Sequence, residues 1–168
     1  MWKTRVPPKV RDFMWRALSG CLPTNVQLRI RHVPVEMVCP LCLEQNESVT
    51  HCLAGCRLVW PCWQQLGFDI LAPSSDSFQA WVRGFIFQLN DDQRCRFFML
   101  CWAIWRRRNE WVWRKKKGSV QEILYVADCT LQNWIQAQDK ELTPMPSFLS
   151  GEDGVSSWKK PPVGKLKI

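Results

Sequence analysis

The sequence predicts a mainly α-helical protein folded around one metal site, and three observations predict it. Apolar residues recur at helical spacing from Val10 to Leu18, from Phe78 to Leu89, from Phe98 to Trp113 and from Val120 to Ile135. Four metal-ligating side chains, Cys39, Cys42, His51 and Cys56, fall in the spacing C-x2-C-x8-H-x4-C. From Leu142 the composition turns to Pro, Ser, Gly and charge, which reads as a disordered C-terminal tail.

The first helix is expected in Val6–Gly20. Pro7 and Pro8 suit a helix start, Val10, Phe13, Met14, Ala17 and Leu18 share one face, and Gly20 suits the stop. Lys9, Arg11 and Arg16 fall on the other face, which is most simply solvated and only secondarily a phosphate-binding one. In the next segment Val26, Leu28 and Ile30 alternate with polar residues, the period of a strand, whereas Thr24 is a good helix cap. The pattern leaves both readings open there.

Cys39-Pro-Leu-Cys42 places two sulfurs in one tight turn. Ser48-Val-Thr-His-Cys-Leu-Ala-Gly-Cys56 brings an imidazole and a third thiolate on a short helical turn, with Gly55 freeing the backbone before Cys56. Zinc takes thiolate and imidazole in a tetrahedron, so these four groups make a Cys3His zinc site. With all four positions filled by protein, such a metal is structural rather than catalytic. A lone C-x-x-C also reads as a redox pair or as two buried small residues, and the later His51 and Cys56 weigh against both. Cys52 competes with its neighbour His51 for the third position. Adjacent helical residues point about 100° apart, so only one of them can face the metal, and His51 is preferred.

Beyond the site, Leu58–Leu66 reads as a helix with Trp60, Trp63 and Leu66 inward and Pro61 near its first turn, and 72–77 as a loop. Phe78 to Leu89 places Phe78, Trp81, Val82, Phe85 and Leu89 on one face. Asn90-Asp-Asp92 caps the longest helix, in which Phe98, Cys101, Trp102, Trp105, Val112 and Trp113 repeat. Ser119-Val-Gln-Glu122 is a capping box, followed by the stripe Val120, Ile123, Leu124, Ala127, Leu131, Trp134 and Ile135. These two long helices are expected to pack as an antiparallel hairpin about Gly118.

The net charge of +8 and the eleven tryptophans narrow the partners. Basic charge interleaved with aromatics suits a polyanion, RNA or DNA, bound without sequence specificity. The densest run contains Arg106, Arg107, Arg108, Arg114, Lys115, Lys116 and Lys117. The same run also reads as a solvated helix end whose cations complement the helix dipole. No uninterrupted apolar stretch is long enough to span a membrane and no secretory signal opens the chain, so no membrane partner is expected. The nine cysteines are odd in number and mostly set in apolar segments, which suits reduced thiols in an intracellular protein, nuclear or cytoplasmic.

Together, the run Val6–Leu18, Leu22-Pro-Thr24, the Cys-Pro-Leu-Cys turn, Glu47-Ser-Val-Thr-His51 and Cys56 resemble the zinc-binding domain of reverse transcriptases from plant non-LTR (LINE-type) retrotransposons. Trp102, Trp105 and the pair Arg108-Asn109 are similar to the segment that follows the zinc motif in that family. The resemblance implies zinc on Cys39, Cys42, His51 and Cys56, and helix rather than strand over residues 24–31. It also implies a place downstream of a polymerase and ahead of an RNase H-like domain. Cys52 departs from the larger apolar residue usual there. Trp158-Lys-Lys-Pro-Pro-Val-Gly164 is similar to the lead-in to that RNase H-like domain.

The expected organisation is therefore a reverse-transcriptase-type zinc-binding domain at 1–89, a helical hairpin at 90–140 and a flexible linker at 141–168. The expected function is that of a non-catalytic zinc module assisting nucleic-acid binding. The alternative is a scaffold domain linking the polymerase and RNase H-like parts of the same element. No nuclease or polymerase activity is expected, because no set of converging carboxylates able to hold two metal ions is found.

Overall fold

The computed structural model describes residues 4–68, 77–116 and 118–142, and its regular elements among them are all helical. Helix α1 (Pro8–Leu18) starts on the two prolines and buries Val10, Phe13, Met14 and Ala17. It stops at Gly20, whose φ of +66° only glycine adopts without strain. There the Cys21 amide donates back to the Arg16 carbonyl and satisfies one of the last free acceptors.

Helix α2 (Asn25–Ile30) settles the open segment as helix. Its apolar residues could not decide between strand and helix because none of its side chains is buried, and Ile30 is exposed. Thr24 occupies the cap position, yet its hydroxyl makes no capping bond. The cap comes from far along the chain, where the Glu47 carboxylate accepts from the Asn25 amide at 2.8 Å.

Helix α3 (Trp60–Gln65) carries Pro61 in its first turn and buries Cys62 and Trp63, while Trp60 and Leu66 are only half-buried. Ser77 caps helix α4 (Phe78–Arg83) by accepting from the Ala80 amide. The expected helix to Leu89 is cut short at Gly84, a poor helix former. The turns beyond it bury Ile86 and bring Phe85 against Trp81 and Phe97, with ring centroids 5.0 and 5.2 Å apart. The rest of the expected loop at 72–76 lies outside the described residues.

Helix α5 (Asp91–Arg114) is the centre of the fold. It opens on a capping box in which Asn90 and Gln93 exchange side-chain-to-backbone bonds of 2.9 Å. Phe97, Phe98, Met99, Leu100 and Cys101 are buried in succession, so this middle stretch of the helix is enclosed on all sides and not along one stripe. The single face expected from Phe98 to Trp113 is corrected accordingly, since Trp113 is 80% exposed. Lys115, left-handed at φ 53°, ends α5 where the sequence pointed to Gly118. The Ser119–Glu122 capping box then opens helix α6 (Val120–Leu142), which packs Ile123, Ala127 and Leu131 against α5 as the second arm of a hairpin.

One hydrophobic cluster runs from Val6 to Leu131. No helix among the described residues is long and apolar enough to cross a membrane. Residues 143–168, with the Trp158–Gly164 motif, lie outside the described residues.

Candidate metal centre

Two pieces of backbone make the site. In the first, Val38 and Asn46 form an isolated antiparallel bridge, and the Cys39 amide donates to the Gln45 carbonyl and the Glu47 amide to the Met37 carbonyl. This closed loop is turned back on itself at Leu43, which adopts φ 59° while its amide donates to the Cys39 carbonyl at 3.0 Å. Both sulfurs of Cys39-Pro-Leu-Cys42 are thereby held buried on the inner side.

The second piece is a single π-helical turn, His51–Gly55, closed by the Cys56 amide donating to the His51 carbonyl at 2.8 Å. The wider turn has a geometric consequence. In an α-helix residues five apart point about 140° away from each other, whereas an i to i+5 hydrogen bond brings them over one another. His51 and Cys56 so face the same point. Gly55, expected to free the backbone, is not among the positive-φ residues, so it is the π turn that makes the approach.

The structure brings Cys39, Cys42, His51 and Cys56 together. All four are buried, and their ligand atoms lie within 4.8 Å of one another. The Cys42 Sγ is 3.3 Å from the His51 Nε2. A tetrahedral ion with sulfur at about 2.3 Å and nitrogen at about 2.0 Å needs ligand separations of roughly 3.5–3.8 Å, so small adjustments would seat one. His51 Nδ1 lies 3.1 Å from Gln45 Oε1, an acceptor, which fixes the proton on Nδ1 and leaves Nε2 as the ligand atom. The His51 amide donates to Ser48 Oγ at 3.0 Å. Spacing gave no hint of either partner.

Cys39, Cys56 and His51 shift one another's proton affinity. The hydrogen bond between Cys39 and Cys56, and then burial, push the Cys39 thiol up to about 12, while the same bond holds Cys56 below its ordinary value. The hydrogen bond with Cys39 raises His51, against burial, which lowers it. A cation entering the cluster must displace these protons, so its affinity rises with pH. Cys52 stands apart from the cluster. It is fully buried, and burial first of all drives its thiol well above the ordinary range.

Helix α5 braces this site from behind. The Arg108 guanidinium pairs with Glu47 through two bonds, Nε to Oε1 at 2.8 Å and an amino nitrogen to Oε2 at 2.6 Å, with both side chains buried. Arg108 also donates to Asn25 Oδ1 and to Asn109 Oδ1, each at 3.1 Å, and Asn25 Nδ2 donates to the Val38 carbonyl at 2.8 Å. Burial pulls the guanidinium down, but the bonds and charge of Glu47 outweigh it and hold Arg108 above its ordinary value. Nearer the cluster, Trp111 Nε1 donates to the Pro40 carbonyl at 2.7 Å, a direct tie from α5 to the Cys-Pro-Leu-Cys turn.

The expected basic run divides. Arg108 is removed from it, because a guanidinium sealed against Glu47 is not free to meet a phosphate. Arg107 is half-buried and donates to the Lys116 carbonyl, closing the turn between α5 and α6. Arg106, Arg114, Lys115 and Lys116 are exposed, with Arg106 paired to Glu110 at 3.2 Å. Lys117 lies outside the described residues.

Residues 1–63 match the family described as zinc-binding in reverse transcriptase. A protein of Arabidopsis thaliana that carries the name of a ribonuclease H protein is 32% identical over 122 residues, covering 64% of this chain and 18% of the relative. The chain thus spans less than a fifth of that relative's length. No solved structure matches it.

Proposed function

We propose, from the premise that residues 1–63 are a reverse-transcriptase zinc-binding domain, that this chain is a non-catalytic zinc module of a retrotransposon reverse transcriptase and assists in holding nucleic acid. The observation that carries the reading is the buried Cys3His cluster, whose donor set suits zinc in chemistry and in spacing. Cys39, Cys42 and Cys56 would hold the ion as thiolates and His51 through Nε2. Bound there, zinc supplies cross-linking of two backbone segments rather than reaction chemistry, since four protein ligands leave no position for water or substrate.

The nucleic-acid role rests on the charge of +8 and on the exposed cations Arg106, Arg114, Lys115 and Lys116 near the end of α5. None of them is set in a pattern that reads base edges, so the binding is of the phosphate backbone. The purified chain is expected to contain one zinc per molecule and to lose it when Cys39 and Cys56 are both changed to Ser. It is also expected to bind RNA and DNA with an affinity that falls steeply between two salt concentrations, as counterion release requires. Full zinc content in the double variant would overturn the metal assignment, and salt-independent or absent binding would overturn the nucleic-acid role.

A further inference from the structure

Along α5, Trp102, Asn109 and Trp113 share one face, with Trp105 and Arg106 on either flank. The three indoles are not equivalent. Trp102 carries Lys9 at 4.8 Å and Arg106 at 5.8 Å from its ring, and Trp105 stacks on Phe13 at 6.5 Å and under Arg108 at 5.1 Å. Their faces are already covered. Trp113 is 80% exposed, and among the described residues no ring or cation lies against it. It stands where two recesses meet, a groove of about 670 Å³ toward α1 and a shallower one of about 420 Å³ that includes Arg106 and Arg114.

We propose that Trp113 is a stacking platform for an unpaired nucleobase, so that this face of α5 takes single-stranded nucleic acid in preference to duplex. The inference deepens the nucleic-acid reading above and rests on it. A bare indole offers a flat apolar face of the kind a base covers, and stacking tolerates any base because every base has a π face. Arg114 is exposed beside it, and Arg106, on the same recess, is held in a partly exposed pair with Glu110, weak enough for a phosphate to displace, so both arginines can reach the phosphates on either side of the stacked base. In a duplex the base faces are buried against their neighbours, so only a single strand can present one.

The experiment compares binding of the full chain to single-stranded RNA, single-stranded DNA and a duplex of equal length at two salt concentrations, for the unchanged protein, Trp113→Ala and Trp113→Phe. Because Trp113 is exposed, both variants should fold as the parent does. The unchanged chain should prefer the single strands. W113A should weaken them about 5- to 150-fold, the range for one lost base stack, with the salt slope and duplex binding unchanged. W113F should retain most of the affinity. Equal loss on single strands and duplex, or no loss on single strands, would overturn the platform while leaving phosphate binding intact. No binding by the unchanged chain to any of the three would overturn the nucleic-acid reading itself, and the platform with it.

Discussion

The side chain that changes most between sequence and structure is Arg108. In sequence it is one of seven cations in a basic run, while in the fold it is the inner half of a buried ion pair with Glu47, 61 residues away. Removing one partner of such a pair leaves an uncompensated charge in the interior, which costs about 3–5 kcal/mol. Glu47→Ala should therefore lower stability by about that amount in urea unfolding. Replacing both residues together, by Leu at 47 and Met at 108, should recover part of the loss. A single variant within about 1 kcal/mol of the parent would contradict a bracing role for the pair. The residue scale also shows what sequence can carry. Cys39, Cys42, His51 and Cys56 lie within one short segment, so their spacing alone points to convergence. Glu47 and Arg108 are joined only by the fold, and charge and spacing do not mark the arginine as different from its neighbours; only the family resemblance of Arg108-Asn109 sets it apart.

At the scale of elements, the legible helices are those whose stability is local. α1 has its prolines and apolar stripe, α5 its Asn90–Gln93 box and α6 its Ser119–Glu122 box, all written in contiguous residues. α2 is not legible from pattern because its N-terminus is capped by Glu47 from outside and it buries no side chain. α4 ends early at Gly84, although Phe85 keeps its expected place against Trp81, because periodicity registers the apolar face and not the weak helix former within it. The α5–α6 turn carries a local conflict, since Lys115 sits at φ 53° where a side chain is strained. A left-handed non-glycine residue costs about 1–2 kcal/mol, partly offset in a glycine variant by the greater freedom of its unfolded chain. Lys115→Gly should accordingly stabilise the protein by about 0.5–1 kcal/mol, read as a higher urea midpoint at unchanged slope. A lower midpoint would mean that the lysine's contact over Trp111, 6.0 Å from its ring, matters more than the strain.

At the scale of the molecule, the metal loop and the long helix form one mechanical unit. Trp111 reaches the Pro40 carbonyl, Arg108 reaches Glu47 and Asn25, and the hydrophobic cluster runs unbroken from Val6 to Leu131. A zinc ion at the Cys3His cluster would then hold in place the loop at residues 37–47, the π turn and, through Glu47, the start of α2. Structural zinc contributes on the order of 10–16 kcal/mol of apparent binding energy in small zinc-finger peptides, comparable to the whole stability of a typical domain, about 5–15 kcal/mol. The most direct measurement is amide hydrogen exchange on the zinc-loaded chain before and after chelation. Protection should fall across residues 38–56 and at the N-terminus of α2, while the middle of α5, buried among Phe97 to Cys101, should lose less. Unchanged protection across residues 38–56 after the metal is removed would contradict a fold organised around that ion.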